Sequence, residues 1–267
     1  MLKKTLQPKI HSFATVIKQK SFSFFIDIAH VMDYLKIILK NFFYNKFEFQ
    51  EFLKQCYQIG NKSVGLISIT GIIVGLVLTI QSRPPLVEFG AVAMLPGMVA
   101  ISIIREMGPV ITALICAGKI GSSMGAELGS MRVTEQIDAM EVSNTNPINF
   151  LIIPRVLAAM IMIPILTLYA DAIGIFGSWV GINIKDAISV KLFLNQAFTQ
   201  VDFMDFIPAV IKSFFFGAVI GLVGCYKGYN AGSGTESVGI AANSAVVTAS
   251  LLLIIVDLIA VQITDLL

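Results

Sequence analysis

The sequence carries little charge for its length. Asp, Glu, Lys and Arg make up 13% of the 267 residues, whereas 56% are hydrophobic, and an average soluble domain has about 25% charged residues. A water-soluble core could not bury so much apolar surface, so we predict that the solvent of this chain is lipid. The formal net charge of +2 is small, and we expect no nucleic-acid partner.

Residues that build common metal, disulfide and nucleotide sites are also scarce. The chain has two histidines, and its three cysteines, Cys56, Cys116 and Cys225, form no CxxC or Cys/His cluster. No GxxxxGK(S/T) sequence occurs, because the nearest match, AGKIG at 117–121, lacks the final Ser or Thr. We therefore expect no metal, no cofactor and no enzyme activity in this chain.

Five stretches are long and apolar enough to cross a bilayer, which takes about 20 mostly apolar residues. They predict an all-α integral membrane protein with about five transmembrane helices: Ser63–Ser82, Pro96–Gly129, Ile153–Ile184, Phe206–Tyr226 and Ser237–Ile263. Pro164 predicts a kink in the third. The sequence divides at residue 54 into an N-terminal basic region, 1–54, and a membrane domain, 55–267.

The N-terminal region has its own pattern. Within residues 21–44 a charged or polar side chain recurs every three to four positions, at Asp27, His30, Asp33, Lys36 and Lys40. This spacing predicts an amphipathic helix in the membrane interface, with a sixth span as the alternative. Ten lysines precede Val64, which favours a cytoplasmic N-terminus and, after five spans, an outer C-terminus.

Small residues repeat every four positions along two predicted spans. They are Ala117, Gly121, Gly125 and Gly129 in the second span and Gly217 and Gly221 in the fourth. Such stripes let helix backbones approach closely in lipid. The approach could be within the chain or between subunits.

A polar segment, residues 131–147, separates the second and third spans. Thr134 is predicted to cap a short helix with Glu135 in its first turn, and Val133, Ile137 and Met140 fall on one face. A short helix fixed between two spans would act as a lever for a cytoplasmic partner. A surface loop is the alternative.

Two stretches carry a family resemblance: REMGPVITALICAGKIGSSMGAELGSMRVTEQIDAM at 105–140 and NPINFLIIPRVLA at 146–158. They resemble the MlaE family, permeases of MCE-type ABC lipid transporters that include bacterial Mla-like and chloroplast TGD-like proteins. The resemblance covers roughly residues 55–265. It implies a bacterial inner membrane or a plastid inner envelope membrane as the location.

The resemblance also implies partners. It implies a second copy of the chain, a cytoplasmic or stromal ABC ATPase, an MCE-class lipid-binding protein and a phospholipid substrate. The short cytoplasmic helix becomes a coupling helix inserted into the ATPase, with these contact residues: Val133, Thr134, Glu135, Gln136, Ile137, Asp138 and Met140.

Three intramembrane charges are candidates for substrate binding: Arg105, Glu106 and Lys212. Counting from the ends of their spans puts all three in the outer half of the bilayer, where charges normally pair or face water. We expect Glu106 to pair with Lys212, leaving Arg105 free for a lipid phosphate, with a purely structural salt bridge as the alternative. A self-contained channel or proton-coupled carrier would instead use Glu106, Lys212, Asp171 and Asp257 as a relay.

Overall fold

The computed structural model describes residues 32–38, 40–41 and 48–266. The chain forms two units, Met1–Lys46 and Phe47–Leu267. In the first unit, residues 32–38 and 40–41 are helical, and an exposed ion pair joins Asp33 to Lys36 at 3.3 Å. The rest of the predicted interfacial helix over 21–44 lies outside the described residues.

The second unit is built from helices, and its described residues contain no strand. Five helices are long and apolar enough to cross a membrane, which confirms the predicted all-α membrane fold with five spans. In chain order the helices are α1 (Phe49–Glu88), α2 (Val92–Val133), α3 (Gln136–Val142), α4 (Ile148–Asn183), α5 (Val190–Thr199), α6 (Phe203–Tyr229) and α7 (Thr235–Asp265). The short helices α3 and α5 lie at opposite ends of the bundle, since α3 follows α2 and α5 follows α4.

The first long helix extends well beyond the predicted Ser63–Ser82. It begins at Phe49 because its first turns continue the buried face of the span, with Gln55 and Ile59 buried. It also runs through Pro84 and Pro85 to Glu88, since a proline near a helix end removes few backbone hydrogen bonds. The predicted division at residue 54 therefore falls inside α1.

The segment between α4 and α6, which contains none of the predicted spans, forms the amphipathic helix α5. The hydroxyl of Ser189 caps it by accepting a hydrogen bond from the backbone N–H of Leu192 at 3.3 Å. Phe193 and Ala197 are buried in a cluster with Leu95, from the start of α2. The sequence signal for α5 was therefore a serine cap followed by an apolar stripe.

Helix α2 is interrupted by two π-helical segments, Ile103–Met107 and Ala117–Gly121. The first ends two residues before Pro109, which lacks the N–H that a regular α-helix would donate, and the helix widens there. Single π turns re-aim side chains and often occur at functional sites. These two segments carry the charged residues Arg105, Glu106 and Lys119.

The small-residue stripes pack helices within this chain. A Cβ added to Gly217 of α6 would lie 2.5 Å from the backbone oxygen of Ala159 in α4, and one added to Gly125 of α2 would lie 3.1 Å from Cα of Ala242 in α7. The other predicted packing residues also lie inside the bundle: Ala117 is buried, Gly121 lies near Ile220 of α6, Gly129 near Ala231 and Gly221 near Val156 of α4. These contacts allow the close approach that stabilises helices in lipid.

Candidate functional site

A buried lysine joins three helices near the α5 end of the bundle. The Nζ atom of Lys212 on α6 lies 2.9 Å from a carboxylate oxygen of Glu106 on α2 and 3.1 Å from one of Asp257 on α7. The Lys212 side chain is only 6% exposed. The structure thus forms the predicted pair and adds Asp257, which sequence reasoning had placed only in the alternative relay.

The three charges lie at one depth in the bundle. Lys212 follows the start of α6 by nine residues and Asp257 precedes the end of α7 by eight, which correspond to about 14 Å and 12 Å of helix. An unpaired charge there would cost about 3 kcal/mol on membrane-insertion scales. Two carboxylates around one ammonium group offset this cost.

Arg105 is not free, contrary to the prediction. Its Nε atom lies 3.4 Å from a carboxylate oxygen of Asp205. The prediction failed because α6 was expected to begin at Phe206, which left Asp205 in a loop. Helix α6 instead begins at Phe203, and Asp205 lies in its first turn, where it forms a capping box with Asp202. The Arg105 side chain remains 45% exposed.

The charged groups border a cavity of about 760 Å³. Arg105, Asp205 and Lys212 lie on its wall, and the rest of the lining is almost entirely apolar, including Ile207, Ile211 and Phe215 of α6 and Val256, Ile259 and Ile263 of α7. A smaller polar cavity of about 250 Å³ adjoins it, with Glu106 and Asp265 on its wall. Together they form a space with an apolar body and a charged end, which suits an amphiphile.

Asp171, the fourth member of the alternative relay, lies apart from these hydrogen bonds. It is buried on α4 against Gly108 of α2. Its Oδ1 atom has no hydrogen-bond partner among the described residues. The structure therefore brings Glu106, Lys212 and Asp257 into one cluster and leaves Asp171 outside it.

The short helix predicted after α2 is present as α3, but its cap differs. Thr134 ends α2 and donates its hydroxyl hydrogen to the carbonyl of Ser130. Glu135 precedes α3 in a left-handed conformation, with φ of 58°, and Asn144 after the helix also has φ of 58°. These two residues set the angles at which the chain enters and leaves α3, since left-handed backbone is unusual outside glycine.

The predicted contact residues divide between the interior and the surface. Ile137 is fully buried within the chain, and Val133 and Met140 are partly buried. Thr134, Glu135, Gln136 and Asp138 are exposed, as is Val142 at 89%. Ile137 therefore anchors α3 to the bundle, and Val142 is an exposed apolar residue that the sequence prediction omitted.

Polar contacts hold α3 to the ends of α2 and α6. Arg132 of α2 forms a 2.5 Å ion pair with Asp138, and its guanidinium group lies 6.0 Å from the ring centroid of Tyr229. The hydroxyl of Tyr229, the last residue of α6, donates to a carboxylate oxygen of Glu141 at 3.1 Å. Two of the three spans that carry the charged cluster, α2 and α6, are thus joined to α3 at their other ends.

Another ion pair with a buried partner, not predicted from the sequence, lies nearer the α3 end. Arg155 of α4, whose side chain is 2% exposed, lies 3.0 Å from Glu127 of α2 and donates to the carbonyl of Leu151 at 2.7 Å. Glu127 and Arg155 each lie in an apolar span, and counting residues along a helix cannot show that charges on two different spans meet. The pair fixes α2 against α4 beside α3.

Five membrane-length helices, an amphiphilic cavity and a polar helix at the opposite end define the class as a membrane transport permease. The family model Permease MlaE matches residues 52–263. A Rickettsia prowazekii protein named "Probable ABC transporter permease protein" is 40% identical over 204 residues, 76% of this chain and 78% of the relative. Proteins described in the same way are 39% identical in Synechocystis sp. (205 residues, 76% and 77%) and 38% identical in Porphyra purpurea (199 residues, 73% and 74%).

The chain belongs to the MlaE permease family of ABC transporters. Its five apolar helices, and relatives from bacterial and plastid genomes, make it an integral membrane protein of a bacterial inner membrane or a plastid membrane. Membership in this family argues against the alternative prediction, a self-contained channel or carrier. The chain is thus the permease subunit of an ABC transporter.

Proposed function

We propose that the chain moves phospholipid across or out of the membrane, powered by a separate ABC ATPase. The observation that carries the proposal is the cavity of about 760 Å³ between α6 and α7, with isoleucine and phenylalanine walls and Arg105 at one end. An apolar body with a charged end is complementary to an acyl chain with a polar headgroup. A small inorganic ion would gain nothing from such walls.

In this mechanism the cluster orients the lipid. Arg105, 45% exposed beside Asp205, contacts the phosphate, for which the planar guanidinium group is well suited. Lys212 is buried between two carboxylates, so it holds α2, α6 and α7 together and does not bind the headgroup directly. The acyl chains lie along Ile211, Phe215 and Ile259.

The ATPase contacts the exposed surface of α3. Glu135, Gln136, Asp138 and Val142 are exposed there, and two of the four are acidic, so the partner's cleft is expected to be basic with an apolar centre. Ile137 serves as the internal anchor of the helix. A displacement of α3 therefore also moves the chain segments that precede and follow it.

Two helices transmit that motion to the cavity. From Tyr229, bonded to Glu141, α6 runs 17 residues to Lys212, about 26 Å of continuous helix. From Arg132, paired with Asp138, α2 runs back to Glu106. Displacing α3 relative to the bundle would shift α2 and α6, which carry Glu106 and Lys212, and so change the cavity.

The remaining partners follow from the family resemblance. We propose that two copies of the permease assemble with two ATPase subunits, and that an MCE-class lipid-binding protein receives or delivers lipid at the α5 end. The cavity opens beside α6 and α7, whose apolar surfaces are exposed in the single chain, as at Ile211 and Ile259. A second copy of the chain or the bilayer would cover these surfaces.

The proposal is tested by replacing Arg105 with alanine in the complex purified with its ATPase. Phospholipid transfer to an acceptor protein should fall at least tenfold, because one charge-assisted contact is lost, while assembly and ATP hydrolysis continue. Arg83→Ala is the matched control, since Arg83 also pairs with an aspartate, Asp186, at 2.6 Å, but lies outside the cavity lining. Equal transfer by the Arg105→Ala variant and the wild-type protein would refute the headgroup role.

A further inference from the structure

The charges around the cavity are unequal in sign. Among the described residues, two cations, Arg105 and Lys212, stand beside four carboxylates. Glu106, Asp205 and Asp265 lie on the cavity walls, and Asp257 contacts Lys212 without lining either cavity, so the formal sum of the group is −2. A second copy of the chain would double this sum without changing its sign.

The cationic side chains are also less available to a ligand than the carboxylates. Lys212 is buried and already contacts two carboxylates, Glu106 and Asp257. Only Arg105 is a substantially exposed cation on the described cavity walls, and Asp205 already neutralises part of its charge. Glu106, by contrast, is 42% exposed despite its contact with Lys212, and Asp265 is exposed at the end of α7.

Because the site is negative, we propose that it selects phospholipids with zwitterionic headgroups over those with anionic headgroups. This inference rests on the proposed lipid transport. The phosphate meets Arg105, and the ammonium group of the same headgroup meets Glu106 or Asp265. An anionic headgroup supplies no cation for these carboxylates, and it adds net negative charge to a site that is already negative. Like-charge repulsion excludes the wrong ligand in the way that charged interfaces reject wrong partners.

The size of the preference follows from one unpaired charge. A unit charge roughly 8 Å from an excess carboxylate, at an effective dielectric constant of about 20, gives a discrimination on the order of tenfold or more. Salt should weaken the preference because the site is partly exposed.

The test measures which lipids the purified full-length chain retains. The protein is equilibrated in detergent with equal amounts of dioleoyl phosphatidylethanolamine, phosphatidylcholine and phosphatidylglycerol, and bound lipids are quantified by mass spectrometry. We expect about tenfold more of each zwitterionic lipid than of phosphatidylglycerol. Glu106→Gln should reduce this ratio severalfold, and Arg105→Gln should increase it.

Glu88→Gln is the matched control, because it removes the same charge from an exposed site at the end of α1 outside the cavity lining. Its retention ratio should equal that of the wild-type protein. Equal or preferred retention of phosphatidylglycerol, or equal effects of Glu88→Gln and Glu106→Gln, would overturn the headgroup assignment and leave lipid transport standing. Retention of none of the three phospholipids would overturn both.

Discussion

Replacing Gly217 with alanine tests how closely α6 must approach α4. The added Cβ would lie 2.5 Å from the backbone oxygen of Ala159 and 2.7 Å from Cα of Met160. Ordinary contacts begin near 3.4 Å, so α6 has to move away by about 1 Å. Both obstacles are backbone atoms, which cannot turn aside as a side chain can, and Lys212 lies only five residues away on the same helix.

The magnitude combines two opposing effects. Overpacking of this kind costs about 1 to 3 kcal/mol, and backbone obstacles favour the upper end of that range. Alanine also forms helices better than glycine by about 1 kcal/mol. The net destabilisation should therefore be about 2 kcal/mol, which lowers the melting temperature by about 4 to 8 °C for a chain of this size.

Gly65→Ala on α1 is the matched control. A Cβ at Gly65 meets nothing within 4 Å, so that variant should keep or slightly raise the melting temperature. Unfolding of the purified chain in detergent can be followed by the fluorescence of its single tryptophan, Trp179 on α4. Equal melting temperatures for the two variants would show that α6 and α4 do not meet as closely as the structure indicates.

Three further substitutions test the charged cluster, the exit from α3 and the transmission path. Lys212→Met leaves two carboxylates without a cation and should lower the free energy of unfolding by about 3 kcal/mol. Glu106→Gln should lower it by less than about 1 kcal/mol, because Lys212 keeps its contact with Asp257. Equal decreases in melting temperature for the two variants would contradict this. Asn144→Val should lower the free energy of unfolding by about 1 to 2 kcal/mol, because valine is strained at the φ of 58° that Asn144 adopts, whereas Asn144→Gly should not lower it. A larger loss for Asn144→Gly than for Asn144→Val would contradict this. Tyr229→Phe, which loses the bond to Glu141, should reduce lipid transferred per ATP roughly threefold to tenfold with the ATPase still bound; an unchanged ratio would exclude this path.

The parts of the fold that depend on local composition could be predicted from the sequence. The five spans follow from long apolar runs, and the Glu106–Lys212 pair follows because charges inside a bilayer require partners. The position of α3 follows from a polar segment between two spans. Each of these conclusions needs only the identity of nearby residues and the cost of placing them in lipid.

The remaining features depend on how the helices are rotated and where they end. The π-helical segment at Ile103–Met107 breaks the regular helical count, so the direction of Arg105 could not be derived from spacing. The start of α6 three residues earlier than expected brought Asp205 to Arg105. Ile137 looked like a surface contact because an apolar residue on a short helix fits either an anchor or an interface.

Phospholipid is proposed to occupy the cavity between α6 and α7. The most direct measurement labels the purified full-length chain with a phospholipid that carries a photoactivatable diazirine in its acyl chain, and maps the labelled peptides by mass spectrometry. We expect saturable labelling at residues 204–215 and 256–264, which line the cavity, and we expect excess unlabelled phospholipid to suppress it. Labelling spread evenly over the five long helices, or unchanged by the competitor, would contradict it.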